Sequence, residues 1–158
     1  MIANENVYAL SKASLKETEN NLAASKIIWF NRIALAVCFI WFGFLKIVHV
    51  SPAEGLVTSL YEVTIVKFVP LQVFLVLLGY VECLIGLLWL IPAVTQWAFA
   101  LFALQMITTF LPLFFLPEIV WQKMLVPTLT GQYIIKNMVF LASAATVLTF
   151  FKKSKLGD

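Results

Sequence analysis

The sequence predicts an all-α fold, an integral membrane four-helix bundle with both termini cytoplasmic. Three observations predict it. The 158 residues are 62% hydrophobic and 12% charged, whereas a soluble domain is roughly 45–50% apolar and about 25% charged. Four apolar stretches, at about 27–50, 70–91, 97–116 and 133–151, each approach the ~20 residues that a helix needs to cross a bilayer. Four spans put both termini on one side. Lys12, Lys16, Lys26, Arg32, Lys152, Lys153 and Lys155 gather there, seven of the eleven basic residues. Basic residues are retained on the cytoplasmic side during insertion, which assigns that side to the termini. The net charge of +3 is modest and reads as an orientation signal, so the expected partner is the lipid bilayer and not nucleic acid.

Residues 1–26 are polar, with Leu10, Leu15 and Leu22 scattered among Lys, Glu and Asn. They read as a tail, with a short surface helix as the alternative. Lys26 and Arg32 mark the start of the first span, where Trp29 and Phe30 suit the interface. Ser51-Pro52 ends that span, because the residue before a proline is disfavoured in the helical region. The loop over 51–69 carries Glu54, Gly55, Tyr61, Glu62 and Lys67 between apolar residues such as Leu56, Ile65 and Val66. One or two short helices, lying on the membrane surface or capping the bundle, are expected there. The second span is followed by a tight, uncharged turn over Pro92 to Gln96. The third carries Gln105, Thr108 and Thr109, and Pro112 predicts a kink or an unwound last turn. The second long loop covers 117–132, and Thr130-Gly131 reads as a turn or cap before the last helix. Lys136 and Asn137 fall in the first turns of the fourth span. A basic tail, 152–158, follows it.

The run Gly79-Tyr80-Val81-Glu82-Cys83-Leu84-Ile85-Gly86 carries the chemistry. A charged acid in mid-membrane costs about 2.5 kcal/mol or more on insertion scales, so Glu82 is expected to face other helices. Gly79 and Gly86 share its helical face and admit a close neighbour. Counted from the loop side at the helical rise, Lys46 lies about 9 Å deep, Glu82 about 18 Å and Gln105 about 16 Å, with Lys136 and Asn137 within about 6 Å. Every span thus places a polar group in the loop-side half, and the other half is expected to have almost none beyond its rim. These five residues are the candidate ligand-binding set. Two readings stand side by side. In one, a Lys–Glu pair with amide and hydroxyl groups ties the helices together at about 0.6–2 kcal/mol per bond. In the other, an intramembrane acid marks a pocket for a polar head group. Lys46 on its own position reads as a snorkelling side chain.

Other chemistry is argued down by what the sequence lacks. Cys38 and Cys83 sit inside spans and form no Cys-x-x-Cys pair, so they read as small core residues. His49 is the one histidine, which excludes two histidine ligands to a haem from one chain. No metal-ligand spacing, phosphate loop or dinucleotide fingerprint is present. Four spans without an internal repeat argue against a stand-alone transporter. No cleavable signal peptide is expected, because the first apolar run is too long and no Ala-x-Ala-like site follows it. Any redox cofactor would have to be a quinone or come from another subunit.

Arg32 followed by Phe39-Ile40-Trp41-Phe42-Gly43-Phe44-Leu45-Lys46 resembles the first-helix signature of the DoxX-like membrane proteins. The segment Gly79-x-x-Glu82-x-x-x-Gly86 resembles their second-helix motif. Thr108-Thr109-Phe110-Leu111-Pro112-Leu113 and Gly131-Gln132-Tyr133-Ile134-Ile135-Lys136-Asn137 look closest to the RclC/YkgB-type branch. The likeness covers about Arg32 to Leu148. It departs from the branch in a shorter first loop, and in Asn137 where that branch tends to have an acid. The resemblance implies a multi-pass protein of the bacterial inner membrane. It also implies a quinone- or small-ligand-binding subunit of a membrane redox or oxidative-stress system, with a redox partner subunit or a second copy as companion. Lys46, Glu82 and Lys136 carry over by position. A likeness of fold does not carry a reaction, so a non-catalytic structural or assembly subunit is the alternative expectation.

Overall fold

The computed structural model describes residues 2–64 and 69–156. Ile65, Val66 and Lys67 of the first loop, and Asp158 of the basic tail, lie outside the described residues. Four stretches are long and apolar enough to cross a membrane, Ser14–Ile47, Leu71–Trp89, Pro92–Phe115 and Leu129–Lys153. Most large apolar side chains on them are exposed, among them Phe30, Trp41, Leu77, Trp97 and Val139. Such a surface is stable in lipid and not in water. The protein is a multi-pass membrane protein with an all-α transmembrane bundle.

Helix α1 runs unbroken over Ile2–Ile47. The polar segment expected as a tail is therefore helical and continuous with the first span. Its sequence holds no proline or glycine before Gly43, the residues that most often break a helix. Ala, Leu, Lys and Glu, which favour the helix, fill much of it. At the far end Val50 N–H donates to Leu45 C=O (3.0 Å) and His49 N–H to Lys46 C=O (3.2 Å). His49 takes φ 55°, and these bonds form a Schellman cap. The helix thus ends a few residues before Pro52, with its last carbonyls satisfied.

Helix α2, Glu54–Thr64, is a short helix of the kind expected in the first loop, and it packs on the bundle. Buried Tyr61 anchors it, with its hydroxyl donating to Val69 C=O and its ring 5.6 Å from that of Phe74. Helix α3 spans Leu71–Trp89. A 3₁₀ turn, Pro92–Val94, reverses the chain into α4, Thr95–Phe110. Pro112 has the effect expected of it. It offers no N–H to Thr108, whose carbonyl takes Leu111 N–H instead (3.3 Å), and a separate turn α5, Pro112–Phe115, follows.

The second long loop is more ordered than the sequence indicated. It contains α6, Pro117–Val120, and a short antiparallel hairpin of β1, Trp121–Lys123, and β2, Val126–Pro127. The cap before the last span is Thr128, whose Oγ accepts Gly131 N–H at 3.1 Å, and not Thr130-Gly131. Gly131 lies inside α7, Leu129–Ile135. A Cβ there would come within 2.2 Å of Val120 C=O, so its role is a close approach to α6. The fourth span is broken at Lys136–Asn137, and α8 then runs over Met138–Leu156 and takes in most of the expected basic tail.

The four long helices form a ring in which α1 packs on α3 and α8, and α4 packs on the same two. Their common core is Leu35, Phe39, Ile85, Trp89, Phe102 and Val147, with small residues between them. Rings of Phe39 and Phe102 sit 5.4 Å apart, and those of Trp89 and Phe102 5.8 Å apart, in the tilted and edge-on geometries that aromatic quadrupoles favour.

Candidate functional site

The site grows from the crossing of α1 and α3. A Cβ on Gly43 would come within 2.5 Å of Gly79 C=O, and one on Gly79 within 2.7 Å of Gly43 C=O. Gly86 is equally tight, 2.9 Å from Ala36 C=O. Backbone therefore lies on backbone at two levels of the pair. Without a hydrophobic force between helices in lipid, such close packing is what holds them. It also fixes their mutual rotation. Arg32, Leu35, Ala36, Phe39, Gly43 and Lys46 recur at helical spacing along one stripe of α1, and Leu75, Gly79, Glu82, Gly86 and Trp89 along one stripe of α3.

One turn beyond the glycine contact, Lys46 Nζ donates to Glu82 Oε2 at 2.6 Å. From α4, Gln105 Nε2 donates to Glu82 Oε1 at 3.2 Å. All three side chains are buried. Both carboxylate oxygens are thus engaged, and the acid joins three helices. The Gln105 carbonyl takes the hydroxyls of Thr108 (2.8 Å) and Thr109 (2.9 Å), which steadies the α4 end above it. Lys46 reads as a cavity residue and not as a snorkelling one, because its ammonium is turned inward to the acid. It keeps two further N–H donors beyond the one that Glu82 takes.

These three residues form one wall of a cavity of about 660 Å³ at the loop end of the bundle. Lys136 and Asn137, at the break between α7 and α8, line it as well. All five candidate residues therefore border one space, although only Lys46, Glu82 and Gln105 touch one another. Lys136 is exposed, with its ammonium 4.0 Å from the Tyr133 ring centre. Phe39, Phe42 and Met106 supply apolar surface, and Ser51 and Ala53 from the first loop border the space too. Trp41 does not line it and is exposed outward.

Arg32 was read from the sequence as a marker of the span's start. The structure buries it, with 4% exposure. Its Nη1 donates to Trp89 C=O (3.0 Å) and its Nη2 to Thr95 Oγ1 (2.6 Å), while Thr95 Oγ1 donates to Pro92 C=O (2.7 Å). Nearby in sequence, Asn31 Oδ1 accepts from Ser143 Oγ (2.7 Å) and links α1 to α8. The termini-side half, expected to be nearly without polar groups, thus has its own network. Arg32 satisfies a carbonyl that the end of α3 leaves without an intrahelical partner and holds the α3–α4 turn. The signal for it was present. Arg32 stands fourteen residues before Lys46, on the same stripe as Ala36, Phe39 and Gly43.

Between the two polar layers, Leu35, Ile85, Phe102 and Val147 are essentially inaccessible. The cavity is closed toward the termini by this apolar plug. Among the described residues, no group of three His, Cys, Asp or Glu side chains has the arrangement to hold a metal ion. Cys38 and Cys83 are free thiols, and Cys83 Sγ sits 3.6 Å from Ile40 C=O at the α1–α3 contact. Comparison with protein-family models, curated proteins and solved structures found no significant match.

Proposed function

We propose that the protein is an integral membrane subunit that binds a quinone-like or similar small amphipathic ligand in the loop-end cavity, and that it serves a membrane redox or oxidative-stress system. One observation carries the reading. A largely apolar cavity of about 660 Å³ has a buried Lys–Glu–Gln cluster in its wall. Ligand pockets are commonly about 300–1,000 Å³, mostly apolar, with a few polar groups that fix orientation. In this reading Lys46 donates from its two spare N–H groups to a ligand carbonyl or oxyanion. Glu82, with both oxygens engaged, holds Lys46 in place. Lys136 and Asn137 meet the ligand from the break between α7 and α8, and Phe39, Phe42 and Met106 pack on its apolar body. The motif resemblance to DoxX-like proteins supports the same reading. It also supports a place in a bacterial inner membrane beside a redox partner subunit. The basic residues at the ends support cytoplasmic termini.

The test is purification in mild detergent, native mass spectrometry and extraction of bound lipids and quinones. A stoichiometric ligand is expected in the wild type. Its loss is expected in Glu82→Gln, which inserts normally but releases the Lys46 ammonium from its anchor. A ligand-free wild type, or one that holds its ligand equally well after Glu82→Gln, overturns the reading. The alternative is a non-catalytic structural or assembly subunit. The bonds that tie Glu82 to Lys46 and Gln105 across three helices favour it. It expects Glu82→Gln to lower thermal stability in detergent with no ligand to lose.

A further inference from the structure

We infer that the loop-end cavity selects ligands in their anionic form. The inference rests on the ligand-binding reading and adds a charge preference to it. Three charged side chains line the cavity among the described residues: Lys46, Glu82 and Lys136. Lys46 and Glu82 neutralise each other at 2.6 Å. Both Glu82 oxygens already accept one hydrogen bond within the bundle, from Lys46 and from Gln105. Lys136 has no carboxylate within ion-pair distance among the described residues, and its ammonium lies over the Tyr133 ring face at 4.0 Å. Glu54 and Glu118 stand next to lining residues, but neither borders the cavity or pairs with Lys136. Glu54 lies between the lining residues Ala53 and Gly55, but its carboxylate is directed at His49, 3.8 Å away, and does not border the cavity.

The lining therefore carries one excess positive charge beside a low-dielectric wall, where Coulomb attraction is stronger than in water. The remaining polar lining, including Thr109, Asn137 and Ser51, adds donors that are uncharged. The matching ligand is an acidic amphiphile, an ionised ring hydroxyl or carboxylate on an apolar body. Its anionic head faces Lys136 and the spare protons of Lys46.

Two probes of one shape test this on the full-length protein in detergent, each corrected for uptake by empty micelles. One is an alkyl-hydroxynaphthoquinone, which is anionic at neutral pH. The other is its neutral methyl ether. The anion is expected to bind at least about tenfold tighter, one mutual charge at a partly wetted site. Lys136→Gln is expected to remove that preference, so that the two probes bind within about twofold of each other, while Lys136→Arg restores it. The arginine variant and a size-exclusion profile separate a charge effect from misfolding. Displacement of the anion by a medium-chain fatty acid would assign the preference to lipid-derived carboxylates as well. Resistance to displacement would assign it to ring anions, and the preference stands in both cases. Equal binding of the two probes, or a preference untouched by Lys136→Gln, overturns the inference and leaves the ligand-binding reading intact. Failure of both probes to bind the wild type overturns both.

Discussion

Glu82 separates structural from ligand-binding roles at the scale of single residues. Its carboxylate is shared between Lys46 at 2.6 Å and Gln105 at 3.2 Å, so it is the hinge of both readings. Lys46→Met leaves a buried acid without its cation. The expected loss is about 3–5 kcal/mol, as for other broken buried pairs, read by denaturant titration in mixed micelles. Lys46→Met combined with Glu82→Leu removes both charges and is expected to regain most of that loss, because a well-packed apolar pair is often as stable as a buried ion pair. The double variant would then be stable and unable to bind ligand. A double variant that still binds would show that the pair serves only to join the helices. Arg32 makes the contrasting case. Its guanidinium is matched to neutral acceptors, Trp89 C=O and Thr95 Oγ1, and it closes the α3–α4 turn far from the cavity.

At the scale of elements, the α1–α3 pair sets the geometry of everything else. Gly43 and Gly79 meet with no room for a Cβ on either side. Gly79→Val is expected to cost about 3 kcal/mol or more, since the obstacle is backbone and not a flexible side chain. It should also loosen Lys46 from Glu82, one turn beyond. Stability and ligand retention should therefore fall together, by the same micelle titration and extraction assays. Loss of stability with ligand retention unchanged would show that the cavity does not depend on this crossing. The breaks in the last two spans have a different origin. Pro112 interrupts α4 for want of an N–H, and the turn at Lys136–Asn137 lets α7 lean on α6 through Gly131. Both breaks fall at the loop end, and Lys136 and Asn137 at the second border the cavity.

At the scale of the molecule, the arrangement is polarised. Polar groups occupy a layer at each end, a cavity opens at the loop end, and an apolar plug of Leu35, Ile85, Phe102 and Val147 separates the layers. A through-path would need that plug to part, so the architecture suits a binding subunit better than a conduit. Topology is testable on the same scale. Single cysteines at Ser51 and at Lys153, in a background lacking Cys38 and Cys83, should react with an impermeant maleimide from opposite sides. The Ser51→Cys variant should label in intact cells, and Lys153→Cys only after lysis. Labelling of both from one side would overturn the four-span arrangement, and the reversed pattern would overturn cytoplasmic termini.

The number of spans, the burial of Glu82, the close approach at Gly79 and Gly86 and the interruption at Pro112 were legible in the sequence. Each depends on a local rule: apolar length against bilayer thickness, the cost of a charge in hydrocarbon, the missing Cβ of glycine, the missing N–H of proline. The two short loop helices were half legible, and the β hairpin over 121–127 was not, because strands of two and three residues carry too little pattern to read. The choice of partners belonged to the tertiary structure alone. Depth along each span put Glu82 and Gln105 at similar levels with Lys46 shallower and within reach, but only the rotation of α1 against α3 turns Lys46 onto the acid and Arg32 onto Trp89 and Thr95. The sequence by itself determined which residues must leave the lipid, because that cost is paid residue by residue. Which groups they meet, and that five of them border one cavity, was decided by helix crossing, because contact between distant residues depends on rotation and register that no single stretch encodes.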